Sequence, residues 1–427
     1  MGAGVGAALF AILIFSGKIP IGSSSGPKLT GTVAIWGTIP EAYMDGMLQQ
    51  YNIQAKTYTV SYKEIKEDVF VPKLIDALAN GTGPDMIIAP YQIILSQLSK
   101  IYPFPATSLP ETTFKTNLVD AASVFWTPYG AIALPISVEP MVLFYNRSIL
   151  SKDGIVNPPA YWNEVSDMAP AVNQGGNGGT FNESTIALGT VNNVPYAKDI
   201  LMTMVKQLRQ TPVVQNFTTN GVNYSISAND KINNSSDVLP LSASIRFFTQ
   251  FSDPTKNTFS WNSFAPNAVD QFIAEKLALY IGYSGDERTI REQNQKLDLG
   301  VTYLPQAKGY NSFATGVRMY GITTLRQTKN SQVALTVEAD FAGSVWGPQL
   351  AAALGGVPAL KNLLSDPNLS IVLAKSTLGA SAWYDIAPDA TYSLFLNTIN
   401  DIVTGRQNVT DGTDIMVARM SDLYNPK

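Results

Sequence analysis

The sequence contains no histidine and no cysteine in its 427 residues. The chain therefore cannot build a Ser-His or Cys-His nucleophile pair, a usual zinc site, an iron–sulfur cluster or a disulfide. These absences exclude most hydrolase chemistry. A paired-carboxylate glycosidase, a lysine Schiff base, or a carboxylate-bound magnesium or calcium ion is still compatible with the composition.

Charge is sparse as well. Asp, Glu, Lys and Arg make up 15% of the chain, and the formal net charge is −4. The 29 Lys and Arg residues are scattered, whereas binding to nucleic acid needs a concentrated basic patch, so we expect no nucleic-acid partner. A chain of 427 residues is longer than a single hydrophobic core usually supports, which predicts two globular lobes.

The amino-terminal segment, residues 1–27, has two parts. Gly2 to Phe15 is uncharged and apolar, and Ile19 to Pro27 is rich in Gly, Ser and Pro, which is typical of a flexible tether. The apolar part is shorter than the about 20 residues of a membrane span and resembles the core of a secretion signal. The pattern fits a removed signal and a retained membrane anchor equally well.

The folded body begins near Lys28 and alternates strands with helices. LTGTVAIWG predicts a strand with Trp36 at its carboxyl end, and Glu41 to Tyr51 has helical spacing. The strand YTVSYK, a helix over Pro72 to Ala79 and the strand in GTGPDMIIAPYQ follow. This order predicts an open α/β sheet whose ligands bind beyond the carboxyl ends of its strands.

Ala131 to Ser148 is the longest near-continuous apolar run in the interior, interrupted by Pro135, Glu139 and Pro140. The prolines predict two buried strand pieces joined at a kink. A lone carboxylate is costly to bury, so we expect Glu139 to face a cleft, although periodicity fits an exposed turn equally well. On the first interpretation, replacing Glu139 with Ala weakens ligand binding and leaves the ligand-free stability nearly unchanged.

Several motifs resemble those of the extracellular solute-binding proteins of ABC importers, of the maltose-binding-protein type. They are TVAIWG, GTGPDMII, LPISVE, VLFYNRSIL and PPAYWNEV, in this order. The resemblance covers roughly residues 29–424. It implies a type II periplasmic-binding-protein-like fold, with two α/β lobes joined by a hinge and a ligand cleft between them.

The resemblance also implies where the chain passes between lobes. LPISVE leaves the first lobe and GVTYLP returns to it. We therefore expect lobe 1 at residues 28–137 and 305–346, and lobe 2 at residues 138–304 and 347–427.

The function implied is capture of a sugar or oligosaccharide outside the cytoplasm and delivery to the permease subunits of an ABC importer. The protein would be a monomer at the cell surface or in the periplasm, anchored or secreted, without a cofactor or chemistry of its own. Aromatic rings stack on sugars, and carboxylates and amides bind their hydroxyls. The candidate stacking residues are Trp36, Tyr91, Tyr283, Trp383 and Tyr392, and the candidate polar partners are Thr38, Glu41, Gln92, Glu139 and Ser284.

Alternatives remain open at this point. Ala89, Gln92 and Pro40-Glu41 depart from the family pattern and make maltose itself doubtful, so a peptide or a polyol is possible. An enzyme would be a glycoside hydrolase with Glu139 and Asp85 as its two carboxylates. For Asp85, however, a turn role through its own backbone is favoured. A surface adhesin would use the same cleft without an importer.

Overall fold

The computed structural model describes residues 29–175, 181–209, 211–218, 221–232, 237–310 and 313–426. The predicted signal or anchor with its linker, residues 1–27, lies outside the described residues. Among the helices that the structure describes, none is both long enough and apolar enough to cross a membrane.

Fifteen strands lie in the described residues, several of only two residues. In chain order they are β1 Gly31–Gly37, β2 Tyr58–Glu64, β3 Met86–Pro90, β4 Ile101–Tyr102, β5 Phe104–Pro105, β6 Trp126–Thr127, β7 Gly130–Ala131, β8 Leu134–Asn146, β9 Gln174–Gly175, β10 Phe181–Ile186, β11 Val213–Thr218, β12 Gly221–Ile226, β13 Leu277–Tyr283, β14 Leu299–Tyr303 and β15 Val317–Leu325.

Fifteen α-helices accompany them in the same part of the chain. They are α1 Glu41–Ala55, α2 Glu67–Ala79, α3 Tyr91–Ser96, α4 Glu111–Asn117, α5 Arg147–Lys152, α6 Trp162–Val172, α7 Ala197–Leu208, α8 Pro240–Thr249, α9 Ala268–Ile273, α10 Asp286–Gln293, α11 Ser331–Ala342, α12 Gly347–Ala353, α13 Ile371–Leu378, α14 Pro388–Val403 and α15 Val409–Tyr424.

The chain divides into two compact units. Unit 1 holds the described residues up to Glu139 together with Val317–Leu378, and unit 2 holds Pro140–Gly316 together with those from Gly379 onward. This division differs from the predicted lobes, which placed residues 305–316 in lobe 1 and residues 347–378 in lobe 2.

Backbone pairing explains the difference at residues 347–378. Val138 and Val357 form a β-bridge, and the Val119 N–H donates to the Ala359 carbonyl at 3.0 Å. The Lys361 ammonium reaches the Asp120 carboxylate at 2.8 Å. These contacts tie the segment to unit 1, and no sequence pattern marks them because they join residues far apart in the chain.

A mixed sheet forms the centre of unit 1, in the order β2-β1-β3-β15 and then the first part of β8. β1 is parallel to β2 and β3, and β15 is antiparallel to β3. All five residues of β3 are buried, as expected for a strand covered on both faces. The carboxyl ends of β1 and β3 and the amino end of β15 therefore share one edge.

Unit 2 contains the second part of β8, which pairs with β13 and β14, followed by β10 and β9. β13 runs parallel to β10 and antiparallel to β8. β11 and β12 form a separate hairpin in which Thr218 pairs with Gly221. This confirms the predicted hairpin, although Asn220 at its turn lies outside the described residues.

β8 is one strand of 13 residues, so the predicted break into two strand pieces is wrong. Pro140 cannot donate a hydrogen bond, and its nitrogen would point to the same side as that of Val138. On that side Val138 makes only an isolated bridge, to Val357. The strand therefore continues through Pro140 without losing a ladder bond.

A buried acid lies on the inner face of α11. Glu338 is completely buried, and its Oε2 accepts hydrogen bonds from the Thr324 N–H at 3.1 Å and the Thr324 hydroxyl at 2.8 Å. Its Oε1 has no hydrogen-bond partner among the described residues. Burial raises the pKa of Glu338 to about 8, so the carboxyl group is largely protonated at neutral pH.

We expect the stability of unit 1 to depend on pH through Glu338. Its folded pKa of about 8 exceeds the ordinary value of 4.5, so the stabilisation is full below pH 4.5 and is lost as pH rises toward 8. The predicted slope is about 1.4 kcal/mol per pH unit in that window. Urea unfolding of wild type and Glu338→Gln from pH 5 to 9 checks this, because the neutral variant should lose the contribution of Glu338 to the slope. Equal slopes in the two proteins would contradict the prediction.

Candidate functional site

The edge of unit 1 at the carboxyl ends of β1 and β3 collects several of the predicted residues. Trp36 lies near the end of β1 and Thr38 follows it, with its N–H donating to the Ile88 carbonyl at 3.3 Å. Tyr91 and Gln92 open α3 directly after β3. We call this set of strand ends the unit 1 edge.

Trp36 and Glu41 both make contacts with β2. The Lys63 ammonium lies 5.1 Å from the centre of the Trp36 ring. Glu41 and Glu64 exchange hydrogen bonds between side-chain oxygens and backbone N–H groups at 3.1 and 3.2 Å. Glu41 is exposed, whereas Tyr91 is 1% exposed and packs in the interior.

Glu139 is paired with an arginine that sequence reasoning did not identify. The Arg318 Nε donates to Oε1 at 3.1 Å, and the Arg318 Nη2 donates to Oε2 at 2.5 Å. The two residues belong to neighbouring strands of unit 1, β8 and β15. Because both carboxylate oxygens are bonded, the burial cost of the charge is offset within the protein.

Tyr320 adjoins this pair on β15. Burial raises its pKa, and the Glu67 carboxylate raises it further, whereas the Arg318 guanidinium lowers it. Tyr320 also pairs with Pro90, the last residue of β3. These interactions place Arg318 and Tyr320 at the unit 1 edge, where the Thr38 hydroxyl has no hydrogen-bond partner among the described residues.

The corresponding edge of unit 2 contains Tyr283 and Ser284. Tyr283 ends β13 opposite Met141, and the Ser284 N–H donates to the Pro140 carbonyl at 3.0 Å. The Ser284 hydroxyl is buried without a hydrogen-bond partner among the described residues. An unsatisfied buried hydroxyl requires an explanation, and a bound polar group is one.

Asp286 organises the tyrosines at this edge. Its carboxylate accepts hydrogen bonds from the Tyr196 hydroxyl at 3.2 Å, the Tyr280 hydroxyl at 3.1 Å and the Tyr283 N–H at 3.2 Å. The Tyr196 and Tyr283 rings meet edge to face with centroids 4.7 Å apart. We call Tyr196, Tyr283, Ser284 and Asp286 the unit 2 edge.

Tyr196 has a backbone conformation that side chains with a Cβ rarely adopt, with φ of 60° at the residue before α7. Such a conformation costs on the order of 1–3 kcal/mol and persists where the surroundings impose it, most often at functional positions. The hydrogen bond to Asp286 and the ring contact with Tyr283 hold Tyr196 in this conformation.

Trp383 and Tyr392 belong to the carboxyl-terminal part of unit 2. Trp383 is buried, with the Lys198 ammonium 5.8 Å from its ring centre. Lys198 in turn pairs with the buried Asp385 at 2.5 Å. Tyr392 is 41% exposed on α14.

Lys206, a second lysine of α7, also bonds to the segment that contains Trp383 and Asp385. Its ammonium donates to the Ala382 carbonyl at 2.5 Å, and burial lowers its pKa to about 8. Lys198 and Lys206 together fasten residues 382–385 to α7.

Asp85 and Glu139 do not form the carboxylate pair of a glycosidase. Asp85 precedes β3, where its Oδ1 and Oδ2 accept bonds from the Thr328 hydroxyl at 2.6 Å and the Ala34 N–H at 2.9 Å. Glu139 pairs with Arg318, which lies two residues before Tyr320 on β15. Tyr320 is opposite Pro90, at the end of β3 that is away from Asp85. Seven residues of strand span about 20 Å, far more than the about 5–10 Å that either glycosidase mechanism requires.

No group of three or more Asp and Glu side chains suited to a metal ion occurs among the residues that the structure describes. Each edge, taken by itself, has hydroxyl and carboxylate groups near aromatic rings. This combination suits reversible binding of a hydroxyl-rich ligand.

Four of these residues were not predicted from the sequence: Tyr196, Asp286, Arg318 and Tyr320. One signal was available for Arg318, because a lone acid in an apolar run requires a cation, and the chain offers few cations inside apolar strands. For Asp286 the signal is its position just after the candidate residues Tyr283 and Ser284.

Comparison with known proteins gives a family match and a set of structural neighbours. A family model described as "Bacterial extracellular solute-binding protein" matches residues 46–369, more than half of the chain. Candidate binding proteins of Brucella abortus (strain 2308) and Brucella suis biovar 1 (strain 1330) are each 24% identical over 150 residues, 34% of this chain. The matched region spans about a third, 35%, of the length of these curated relatives.

Solved structures resemble the chain over nearly its whole length. The sugar-binding protein MalE of Xanthomonas citri superimposes with a TM-score of 0.72 at 13% identity, over 92% of this chain and 97% of that one. The GacH receptor of Streptomyces glaucescens, solved unliganded and with acarbose, gives 0.68 at 14% identity, over 93% and 99%.

A third neighbour, the cyclic alpha-maltosyl-1,6-maltose binding protein of Arthrobacter globiformis, gives 0.71 at 15% identity, over 92% of this chain and 98% of that one. These likenesses confirm the predicted α/β fold of the type II binding-protein class.

The Glu139–Arg318 pair changes the stability expected of the Ala variant at Glu139. Removing one partner of a buried ion pair leaves the other charge poorly compensated. Since Arg318 is partly exposed, we expect Glu139→Ala to lower the free energy of unfolding of the ligand-free protein by about 1–3 kcal/mol. Urea unfolding checks this, with Glu139→Gln expected to lose less; an unchanged midpoint for the Ala variant would contradict it.

Asp286→Ala removes the acceptor for two tyrosine hydroxyls and one N–H. We expect it to destabilise unit 2 by about 1–3 kcal/mol and to change the near-ultraviolet circular dichroism of the tyrosines. Asp167→Ala, an exposed position on α6 of the same unit, is the matched control and should change neither property. Equal behaviour of the two variants would show that Asp286 does not hold the tyrosines.

Proposed function

Because this chain belongs to the family of bacterial extracellular solute-binding proteins, we propose that it binds a sugar or oligosaccharide and delivers it to an ABC importer. The observation that carries the proposal is that each unit presents aromatic rings and hydrogen-bonding groups at the edge where ligands of α/β sheets bind. The rings offer flat apolar faces to a pyranose, and the polar groups bind its hydroxyls.

Unit 1 would contribute Trp36 as a stacking surface, with Thr38 and Gln92 as polar partners. The Glu139–Arg318 pair adds a carboxylate and a guanidinium near Tyr320. Tyr91 is buried and Glu41 is bonded to β2, so we assign them supporting places around these groups.

Unit 2 would contribute a tyrosine platform that Asp286 holds in place, in which the half-buried Tyr196 offers its ring to the ligand and the buried Tyr283 supports it. The Ser284 hydroxyl, buried and without a partner in the described part of the chain, would bond a ligand hydroxyl. Trp383 and Tyr392 are the remaining stacking candidates in this unit.

A binding protein without chemistry of its own agrees with this arrangement. The family is one of solute-binding proteins, and the one carboxylate pair open to a hydrolase is far too widely spaced. A non-sugar solute such as a peptide or a polyol is the alternative. The partly exposed rings of Trp36 and Tyr196 and the exposed ring of Tyr392 favour the sugar, since stacking aromatics serve a pyranose better than an extended peptide backbone.

Family membership implies work outside the cytoplasm. We propose that the partner is the permease of an ABC importer and that the segment over residues 1–27 directs the chain to the membrane or holds it there. Protease treatment of intact cells should digest the protein, and fractionation should distinguish an anchored from a secreted form.

Isothermal titration calorimetry with maltotetraose, mannotriose and cellotetraose tests the proposed ligand class. We expect saturable binding of at least one of these sugars at one site per chain. Chromatography of the same sugar after overnight incubation should show no new reducing ends. Binding of a peptide mixture together with no binding of any sugar would overturn the proposal.

The tyrosine platform can be tested in the same way. Tyr196→Ala should weaken binding of the best sugar by about tenfold or more, because a stacked ring and its buried area are lost. Phe264→Ala is the matched control, since this ring is 90% exposed in the same unit. Equal loss in both variants, or loss in neither, would show that Tyr196 does not contact the ligand.

A further inference from the structure

We infer that this protein is N-glycosylated, with Asn80 in unit 1 and Asn223 in unit 2 as the acceptors of an oligosaccharide from a lipid-linked sugar phosphate. The inference goes beyond the proposed function and does not depend on which solute the protein binds. It requires only that the chain works outside the cytoplasm, as family membership implies.

The sequence contains nine Asn-X-Ser/Thr triplets in which X is not proline, and this triplet is the acceptor pattern for N-linked glycans. They begin at Asn80, Asn146, Asn182, Asn216, Asn223, Asn233, Asn234, Asn368 and Asn408. Asn233 and Asn234 lie outside the described residues. Because a glycan is bulky and hydrated, a triplet can carry one in the folded protein only where its asparagine lies at the surface.

Burial removes two of the described triplets. Asn146 is fully buried, and its Oδ1 accepts a hydrogen bond from the Ile149 N–H at 3.1 Å at the start of α5. Asn216 is half-buried, and its Nδ2 donates to the Ser225 hydroxyl at 2.9 Å. Asn216 also lies directly opposite Asn223 in the hairpin, where Cβ atoms about 5 Å apart leave room for one glycan.

Three other asparagines are exposed, but their amide nitrogens already donate hydrogen bonds within the protein. They are Asn182, which donates to the Gly175 carbonyl at 3.3 Å, Asn368, which donates to the Asp366 carboxylate at 3.0 Å, and Asn408, which donates to the Asp411 carboxylate at 2.6 Å. Glycan transfer forms a new bond at this nitrogen, so the existing hydrogen bonds disfavour these three positions.

Asn80 and Asn223 are exposed, and neither amide makes a side-chain hydrogen bond among the residues that the structure describes. Asn80 directly follows α2, and the third member of its triplet, Thr82, is exposed as well. Asn223 lies on β12, and Ser225, two residues later, is on the same exposed face. Each unit therefore presents one triplet in which both the amide and the hydroxyl residue are accessible.

Both positions lie away from the candidate binding edge of their own unit. Residues 80–85 lead into the amino end of β3, whereas the unit 1 edge lies at the carboxyl end of that strand. The hairpin follows the carboxyl end of α7, a helix of 12 residues and about 18 Å that begins after Tyr196 of the unit 2 edge. The other face of the hairpin packs through Tyr224 on Tyr424, so Asn223 points away from this contact.

The transfer exchanges one bond at the sugar for another. The asparagine Nδ2 bonds to the anomeric carbon of the oligosaccharide, the bond between that carbon and the phosphate oxygen breaks, and the lipid phosphate leaves with the electron pair. The nitrogen gives one proton to a base of the transferase. No oxidant or reductant takes part, so a lipid-linked sugar phosphate is the only co-reactant required.

The test compares protein purified from its own cells with the same chain made in a host that lacks N-glycosylation. Intact mass and fragmentation of glycopeptides should show carbohydrate on Asn80 and Asn223 of the native protein, and none on Asn146 or Asn216. Isothermal titration calorimetry should give the same affinity for the best panel sugar in both preparations, because the glycans lie away from the edges.

Variants at the third position of each triplet show whether the pattern directs the attachment, since they leave the asparagine in place. Thr82→Ala and Ser225→Ala, expressed in the native cells, should each lose the glycan of their own triplet alone. Thr82→Ser and Ser225→Thr keep a hydroxyl and should keep the glycan. Ser148→Ala is the matched control, because Ser148 is exposed but completes the triplet of the buried Asn146, so no carbohydrate should be lost.

Native protein without carbohydrate would overturn the inference and leave the proposed function intact, because sugar binding is measured on the unmodified chain as well. Carbohydrate at other triplets but at neither Asn80 nor Asn223 would overturn the assignment of the acceptors. A glycan that persists in both Thr82→Ala and Ser225→Ala would show attachment that does not follow the triplets. Failure of the unmodified chain to bind any panel sugar, with both glycans present on the native protein, would overturn the proposed function alone.

Discussion

A carboxylate that stays charged when buried between strands must be compensated by hydrogen bonds or by a cation, and much of unit 1 depends on how Glu139 meets this requirement. Its partner Arg318 comes from β15, which passes between β3 and β8. The pair thus fixes two strands at the places where the chain leaves unit 1 and re-enters it, after Glu139 and before Val317. The same bonds hold the guanidinium near Tyr320, so one interaction serves both the sheet and the candidate site.

Much of the fold could be predicted because local patterns specify it. The alternation in β1 and β2, the buried run of β3 and the amphipathic spacing of α1 are all visible in the sequence. The division into units was harder to predict from the sequence. Residues 347–378 join unit 1 through a bridge between Val357 and Val138, and such pairing across more than 200 residues leaves no local pattern.

The candidate site shows the same limit. Trp36 could be proposed because it ends a predicted strand, and Tyr283 and Ser284 because their segment resembles that of the family. Tyr196 could not, since its place depends on a strained backbone and on Asp286, 90 residues later in the chain. For Glu139, the rule that buried charges need partners was correct, yet the rule does not say whether the partner is a ligand or an arginine.

β8 restricts how this sequence can vary. Its 13 residues belong to both units, and successive side chains point to opposite faces of the sheet. Loss or gain of a single residue upstream of Glu139 within the strand would reverse those faces, separating Glu139 from Arg318 or exposing the apolar residues of one unit. Natural variants of this protein should therefore differ along β8 by substitution alone, with insertions and deletions confined to the loops.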